Sequence, residues 1–314
     1  MVENKINCII DCDPGVDDAV AIALSLYDEK MDIKLITTVN GNRDVDTVTR
    51  NTLHLLEKFK KKNIPVAKGA EKAMKRTSPD ASFIHQQEGL GGYIPPKTVK
   101  TKPIEETAVE AMYRTICENK NNISLVALGP HTNLGYLFTA HPDVAQMLNH
   151  IYCEGCAAYG HKIEKGRWKG YVSFNASSDP EAMKIVFESG VPITIVPSRM
   201  GRDLANFTEE QVFAMKEINA VGKFIFDMYN GYWEHGYEDR RIATNDTCAV
   251  LALRCPELFK TKKCFFNINT EEAPGKTLVT FSRKGNVQYV YKVNRKKFFN
   301  NFCNAIKKLD GFKL

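Results

Sequence analysis

No stretch of the 314-residue sequence supplies the ~20 consecutive apolar residues that a membrane-spanning helix needs. The short apolar run from Ile6 to Ile10 passes at once into charged residues, so no secretory leader is expected. Paired cysteine spacing is also nearly missing. Of nine cysteines, Cys153-Glu154-Gly155-Cys156 is the lone C-x-x-C, and Cys248 and Cys255 stand apart from any second pair. Neither a zinc site nor a disulfide framework fits, and structural thiols in a cytoplasmic, reducing compartment are expected. Excess charge is slight, at +6, and the lysines around Lys58–Lys62, Lys296-Lys297 and Lys307-Lys308 read as solvated helix faces. Neither a nucleic-acid nor a membrane partner is expected. No linker, repeat or low-complexity segment divides the chain, so residues 1–314 are expected to form one domain.

What is present alternates. Apolar, β-branched runs at Asn7–Cys12, Asp32–Val39, Ile123–Leu128, Ile151–Glu154 and Ile193–Val196 read as strands. Between them, helical spacing marks Asp18–Tyr27, Val45–Phe59, Thr107–Cys117, Thr132–Phe138 and Pro180–Glu188. Thr208-Glu209-Glu210-Gln211 is a capping-box start, Thr247–Leu253 reads as a helix, and Cys264–Ile268, Thr277–Phe281 and Val287–Val293 read as strands before a closing helix at Arg295–Leu309. Continuous apolar strands between helices predict an α/β fold: a mainly parallel sheet with helices on both faces. Ligands of such sheets lie beyond the carboxyl ends of the strands, where Asp11, Asp13, Asn40, Asn42 and Leu128–Asn133 would gather.

Asp11, Asp13, Asp17 and Asp18 fall within eight residues. Two like charges ~4 Å apart repel by about 4 kcal/mol at an effective dielectric near 20, so the cluster calls for a cation or raised pKa values. Carboxylates without thiols favour Ca²⁺ or Mg²⁺. Helix capping would account for Asp17 and Asp18 but not for Asp11 and Asp13. An EF-hand is excluded, because the twelfth position from Asp11 is Ile22 and not a glutamate.

Asp11-Cys12-Asp13-Pro14-Gly15-Val16-Asp17-Asp18-Ala19 resembles the signature of the nucleoside-hydrolase family, which cleaves nucleosides to ribose and base. Thr37–Asn42, Ala127–Asn133, Phe174-Asn175 with Asp179–Ala182, and Asn245–Ala249 follow in matching order along nearly the whole chain. The resemblance implies Ca²⁺ held by Asp13, Asp18, Asp246 and the carbonyl of Leu128, with Asp17 as general base toward the water on the metal. It implies sugar contacts from Asn42 and Asn175, a supporting Asp11, and a homodimer or homotetramer engaged in nucleoside metabolism and purine salvage. His85 matches a histidine near the base, and Tyr229, Trp233, His235 and Tyr237 match a segment that covers it.

Three positions depart from the pattern. Asn245 stands where many members carry a histidine that protonates the leaving base, and an amide is no acid. Ser173 replaces a glutamate near the sugar, and Cys153–Cys156 replaces a Met-Gly-Gly stretch. Leaving-group activation would then fall to His85, to His235, or to stacking on Trp233 and Tyr229. The exchange at Ser173, near Arg167, Trp168 and Lys169, also opens 5′-nucleotides as substrates. A non-catalytic nucleoside-binding descendant and a haloacid-dehalogenase-type phosphatase, which shares D-x-D after its first strand, are the other readings.

Overall fold

The computed structural model describes residues 5–77, 88–156, 162–164, 167–169, 172–233 and 241–310, with 162–164, 167–169 and 232–233 described by backbone alone. Eleven strands are formed among them. They are β1 (Ile6–Cys12), β2 (Met31–Thr38), β3 (Val66–Lys68), β4 (Ser124–Ala127), β5 (His150–Glu154), β6 (Lys162–Glu164), β7 (Arg167–Lys169), β8 (Ile193–Val196), β9 (Phe259–Ile268), β10 (Thr277–Phe281) and β11 (Val287–Val293). Nine make one sheet in the order β10-β9-β11-β8-β5-β4-β1-β2-β3, and β6 and β7 pair separately. Only β9 runs against the rest of the large sheet, pairing antiparallel with both β10 and β11. The paired β6 and β7 and the three-residue β3 were not foreseen, each being too short to show a period of two.

Both faces of the sheet are covered, and the strands show it residue by residue. Cys8, Ile10 and Cys12 of β1 pack into one apolar cluster, while Ile9 between them packs into the other. The first cluster is completed by α1 (Val16–Ser25), α2 (Val45–Lys58), α7 (Glu209–Lys216), α8 (Ala220–Trp233), α9 (Asn245–Arg254) and α10 (Arg295–Lys307). The second takes α3 (Ala108–Glu118), α4 (Thr132–Ala140) and α6 (Pro180–Glu188), while the one-turn α5 (Phe174–Ser178) contributes Ala176. Side-chain caps fix the starts: Asp44 accepts from Thr47 N at 2.9 Å, and the Thr107–Glu110 and Thr208–Gln211 pairs form full capping boxes.

The order places a switch point between β1 and β4. From β1 the chain goes outward to β2 and β3, then returns on the other side to β4 and β5. Connecting segments therefore diverge there and leave a crevice at the carboxyl ends of the strands. Asp11 pairs in register with Ala127, so Asp13 and Leu128 emerge side by side at that crevice.

Candidate active site

The turn after β1 folds back on its own backbone. Asp18, the third residue of α1, accepts from Asp13 N and from Gly15 N, each at 3.2 Å, which closes the loop Asp13–Gly15 around its carboxylate. The segment after β2 is stitched on from the other side. Asn42 N donates to Asp13 Oδ2 at 2.7 Å, and its Nδ2 donates to Asp13 O and Asp18 Oδ2, each at 3.1 Å. Two glycines let that happen. A Cβ on Gly41 would lie 2.0 Å from Asp13 Oδ2, and one on Gly129 would lie 2.7 Å from Asp13 Oδ1.

Asp246 arrives from a distant part of the sequence, in the first turn of α9, so that α1 and α9 both direct their positive ends at the cluster. One carboxylate oxygen from each of Asp17, Asp18 and Asp246 lies within 4.8 Å of the others. All these acids are buried, and all are pushed up. For Asp13 the causes are burial and then Asp18, and for Asp246 burial and then Asp17; both carboxyls stand well above the usual range. Burial and then Asp18 push Asp17 to about 7, and burial raises Asp18. Ions bound at ~2.3–2.6 Å by oxygen can bridge ligands up to roughly 5 Å apart, so the spacing and the all-oxygen donor set fit a hard divalent cation. Without one, the group repels itself.

Asp11 is enclosed behind this layer. Its Oδ1 accepts from Thr37 Oγ1 at 2.6 Å and Asn133 Nδ2 at 2.8 Å, and burial pushes it to about 7. Asn133 also donates to Thr38 O and accepts from Ala70 N, each at 2.9 Å, so one amide ties β1, β2 and the segment after β3 together. Asp179, from the same set of motifs, is structural. It caps α6 through Ala182 N and accepts from Met74 N and Thr132 Oγ1.

On the far side of the crevice, Asn175 Nδ2 donates to Leu128 O at 2.5 Å and to Glu154 Oε2 at 2.8 Å. Glu154 ends β5, is buried, and is pushed to about 8, first by burial and then by the charges of Asp17 and Asp18. Sequence reasoning missed it as a site residue. The signal was its place at the carboxyl end of a parallel strand beside β4. Ser173 is fully buried and caps α5 through Ala176 N, so its hydroxyl serves the helix.

The profile of the inosine-uridine preferring nucleoside hydrolases matches residues 8–300. This chain belongs to that family. It is 30% identical over 313 residues to the pyrimidine-specific ribonucleoside hydrolase RihA of Escherichia coli, covering 95% of this chain and 97% of that one. It is 31% identical to the non-specific ribonucleoside hydrolase RihC of Escherichia coli, covering 94% and 96%. The solved plant nucleoside hydrolase PpNRh1 superposes with a TM-score of 0.86 at 26% identity, covering 96% and 98%. A purine-preferring ribonucleoside hydrolase from Gardnerella vaginalis shares the fold at a TM-score of 0.87 and 24% identity, covering 96% and 98%. The chain is a ribonucleoside hydrolase, and the phosphatase and non-catalytic readings fall with that assignment.

The structure brings Asp11, Asp13, Asp17, Asp18, Asn42, Leu128, Asn175 and Asp246 together in this one candidate site. His85, His235 and Tyr237 lie outside the described residues, Trp233 is placed only as the end of α8, and the side chains of Arg167, Trp168 and Lys169 are not described. Tyr229 corrects the stacking expectation. Its ring is packed into the core at 1% exposure and has no open face for a base. Its hydroxyl is buried without a partner among the described residues and feels the charges of Asp17 and Asp246. Asn245 opens α9, and its Oδ1 is likewise buried without a partner among them.

Proposed function

We propose that this ribonucleoside hydrolase is Ca²⁺-dependent and uses Asp17 as general base in cleaving the N-glycosidic bond. The observation that carries the reading is the buried convergence of Asp17, Asp18 and Asp246, with Asp13 hydrogen-bonded into the same loop. So many enclosed carboxylates are tolerable only with a cation or with protons. Asp13, Asp18, Asp246 and the carbonyl of Leu128 would hold Ca²⁺, which supplies charge neutralisation, acidifies water and fixes vicinal hydroxyls when bound.

The residues divide the remaining work. Asp17, adjacent in sequence to Asp18, takes the proton of the attacking water. Asn42 and Asn175 orient the sugar, and both amide hydrogens of Asn175 are already spent on acceptors, which turns its Oδ1 toward a donor. Glycosidic cleavage develops positive charge on the sugar, and the surrounding carboxylates stabilise it without reorganising. Asn245 supplies no proton, so the leaving base is activated elsewhere.

Incubation with common ribonucleosides in Ca²⁺ or in excess EGTA, with free base followed by chromatography, tests the reading. Base release that needs Ca²⁺, together with loss of calorimetric Ca²⁺ binding in Asp13→Ala and Asp246→Ala, is expected. Full activity in EGTA would overturn the metal, and unchanged Ca²⁺ affinity in either variant would overturn the ligand set.

A further inference from the structure

Glu154 is an acid the proposed chemistry does not use. It ends β5, one strand beyond β4, and its carboxyl reaches into the same crevice as Asp17 and Asp18, whose charges it feels. Its two oxygens are not equivalent. Oε2 accepts from Asn175 Nδ2 at 2.8 Å, while Oε1 is buried and has no hydrogen-bond partner among the described residues. A buried acceptor left empty costs on the order of 1–3 kcal/mol, and more when it is charged. A core-packing role would be served better by an apolar side chain of this size.

The neighbours limit what can fill the place. Asn175 Nδ2 is committed to Leu128 O and Glu154 Oε2, so once the carboxyl is ionised the two free oxygens of the pair, Asn175 Oδ1 and Glu154 Oε1, are both acceptors. Two acceptors call for hydroxyl donors. A phosphate offers more anionic oxygens and would meet a carboxyl already crowded by Asp17 and Asp18.

We infer that Glu154 is a substrate-binding residue whose Oε1 accepts a hydrogen bond from a free hydroxyl of the ribose, so that unphosphorylated ribosides are preferred at that hydroxyl. The inference rests on the nucleoside-hydrolase reading of the site. It assigns the carboxyl a partner in the substrate, with Asn175 holding it in place.

The test is a coupling cycle. Glu154→Met removes both oxygens at similar volume, and Glu154→Gln keeps an acceptor for Asn175 while turning the free position into a donor. Inosine and its 2′-, 3′- and 5′-deoxy analogues are compared with wild type and both variants by kcat/KM above pH 8, where the Glu154 carboxyl is ionised. A hydrogen bond to a charged group contributes ~1.5–3 kcal/mol, equivalent to about 10–150-fold. Both variants are expected to lose about that factor on inosine and on two analogues, and to lose less than threefold on the analogue that lacks the paired hydroxyl. Equal losses on all four substrates would show that Glu154 acts through structure alone and would overturn the inference. The same cycle, run as calorimetric affinity for ribose and the three deoxyriboses with Ca²⁺, decides Glu154 even if the wild type turns over no nucleoside, a result that would sink the hydrolase reading separately. Calorimetry with no coupling in any pair would again overturn it.

Discussion

Asp17 and Asp18 are neighbours in sequence, both in the first turn of α1, yet different work is expected of them. Asp18 is tied down by Asp13 N, Gly15 N and Asn42 Nδ2 and is built to stay in one place. Asp17 lies within the same 4.8 Å oxygen group and is pushed to about 7 by burial and by Asp18. A base that must take a proton near neutral pH benefits from such a value. Asp17→Asn keeps the size and removes the basicity. It is expected to lower kcat by ~10²–10⁴-fold while Ca²⁺ affinity changes less than tenfold. Steady-state kinetics and calorimetry on one preparation check both halves. A kcat loss under tenfold would remove Asp17 as base, and a Ca²⁺ loss equal to that of Asp246→Ala would make it a ligand.

At the level of elements, the site depends on loops that only small residues allow. The segment after β2 presses against Asp13 so closely that a methyl group on Gly41 would sit 2.0 Å from Asp13 Oδ2 and 2.8 Å from Pro130 Cδ. Gly41→Ala must therefore displace the Asp13 carboxylate or the loop. The expected result is at least a tenfold weaker Ca²⁺ affinity, with the circular dichroism of the fold retained. Calorimetry showing wild-type affinity would mean that Asp13 is not part of the shell. Much of this arrangement was legible in the sequence, because Asp13-Pro14-Gly15 and Asn40-Gly41-Asn42 follow apolar runs whose carboxyl ends share one rim. The parallel sense of the central strands is also implied by uninterrupted apolar runs such as Cys8–Ile10 and Leu125–Leu128. Other features left no local trace. Val66–Lys68 is too short to show a period, and β9 begins at Phe259, well before Cys264, because its exposed stretch Lys260–Lys263 reads as polar and not as strand. Glu154 was hidden between two cysteines that drew attention as a C-x-x-C, although both are buried, free thiols. Tyr229 shares a helical spacing with Trp233, and spacing alone could not say that its ring faces the core.

For the whole molecule, crowding acids into one cavity should make stability fall as pH rises when no cation is present. Burial leads the causes for Asp11 and Asp17, pushed from 3.8 to about 7, and for Glu154, pushed from 4.5 to about 8. A carboxyl whose folded pKa exceeds its unfolded one keeps its proton longer in the folded chain. Between the two values the folded state binds more protons, and the slope of stability against pH is negative. Three histidines oppose this at lower pH. Burial holds His54, His131 and His150 near 4 against an ordinary 6.5, so folding disfavours their protonation and stability rises with pH between those values. From pH 6.5 upward each of these histidines is at most half protonated in the unfolded chain, fewer protons than the raised carboxyls hold in the folded one, so the carboxyls decide the sign. In EGTA, Tm is therefore expected to fall from pH 6.5 to pH 8.5. Ca²⁺ reverses the trend, because it binds the deprotonated carboxylates and its affinity grows as they ionise. At a Ca²⁺ concentration 100-fold above Kd the gain is about 2.7 kcal/mol, which for a chain of this size is a Tm rise of roughly 5 °C. Scanning calorimetry at both pH values, with Ca²⁺ and with EGTA, gives the four numbers needed. A Tm that rises with pH in EGTA would mean that the buried acids are not strained against one another. A Ca²⁺ increment larger at pH 6.5 than at pH 8.5 would mean that the ion binds somewhere other than this cluster.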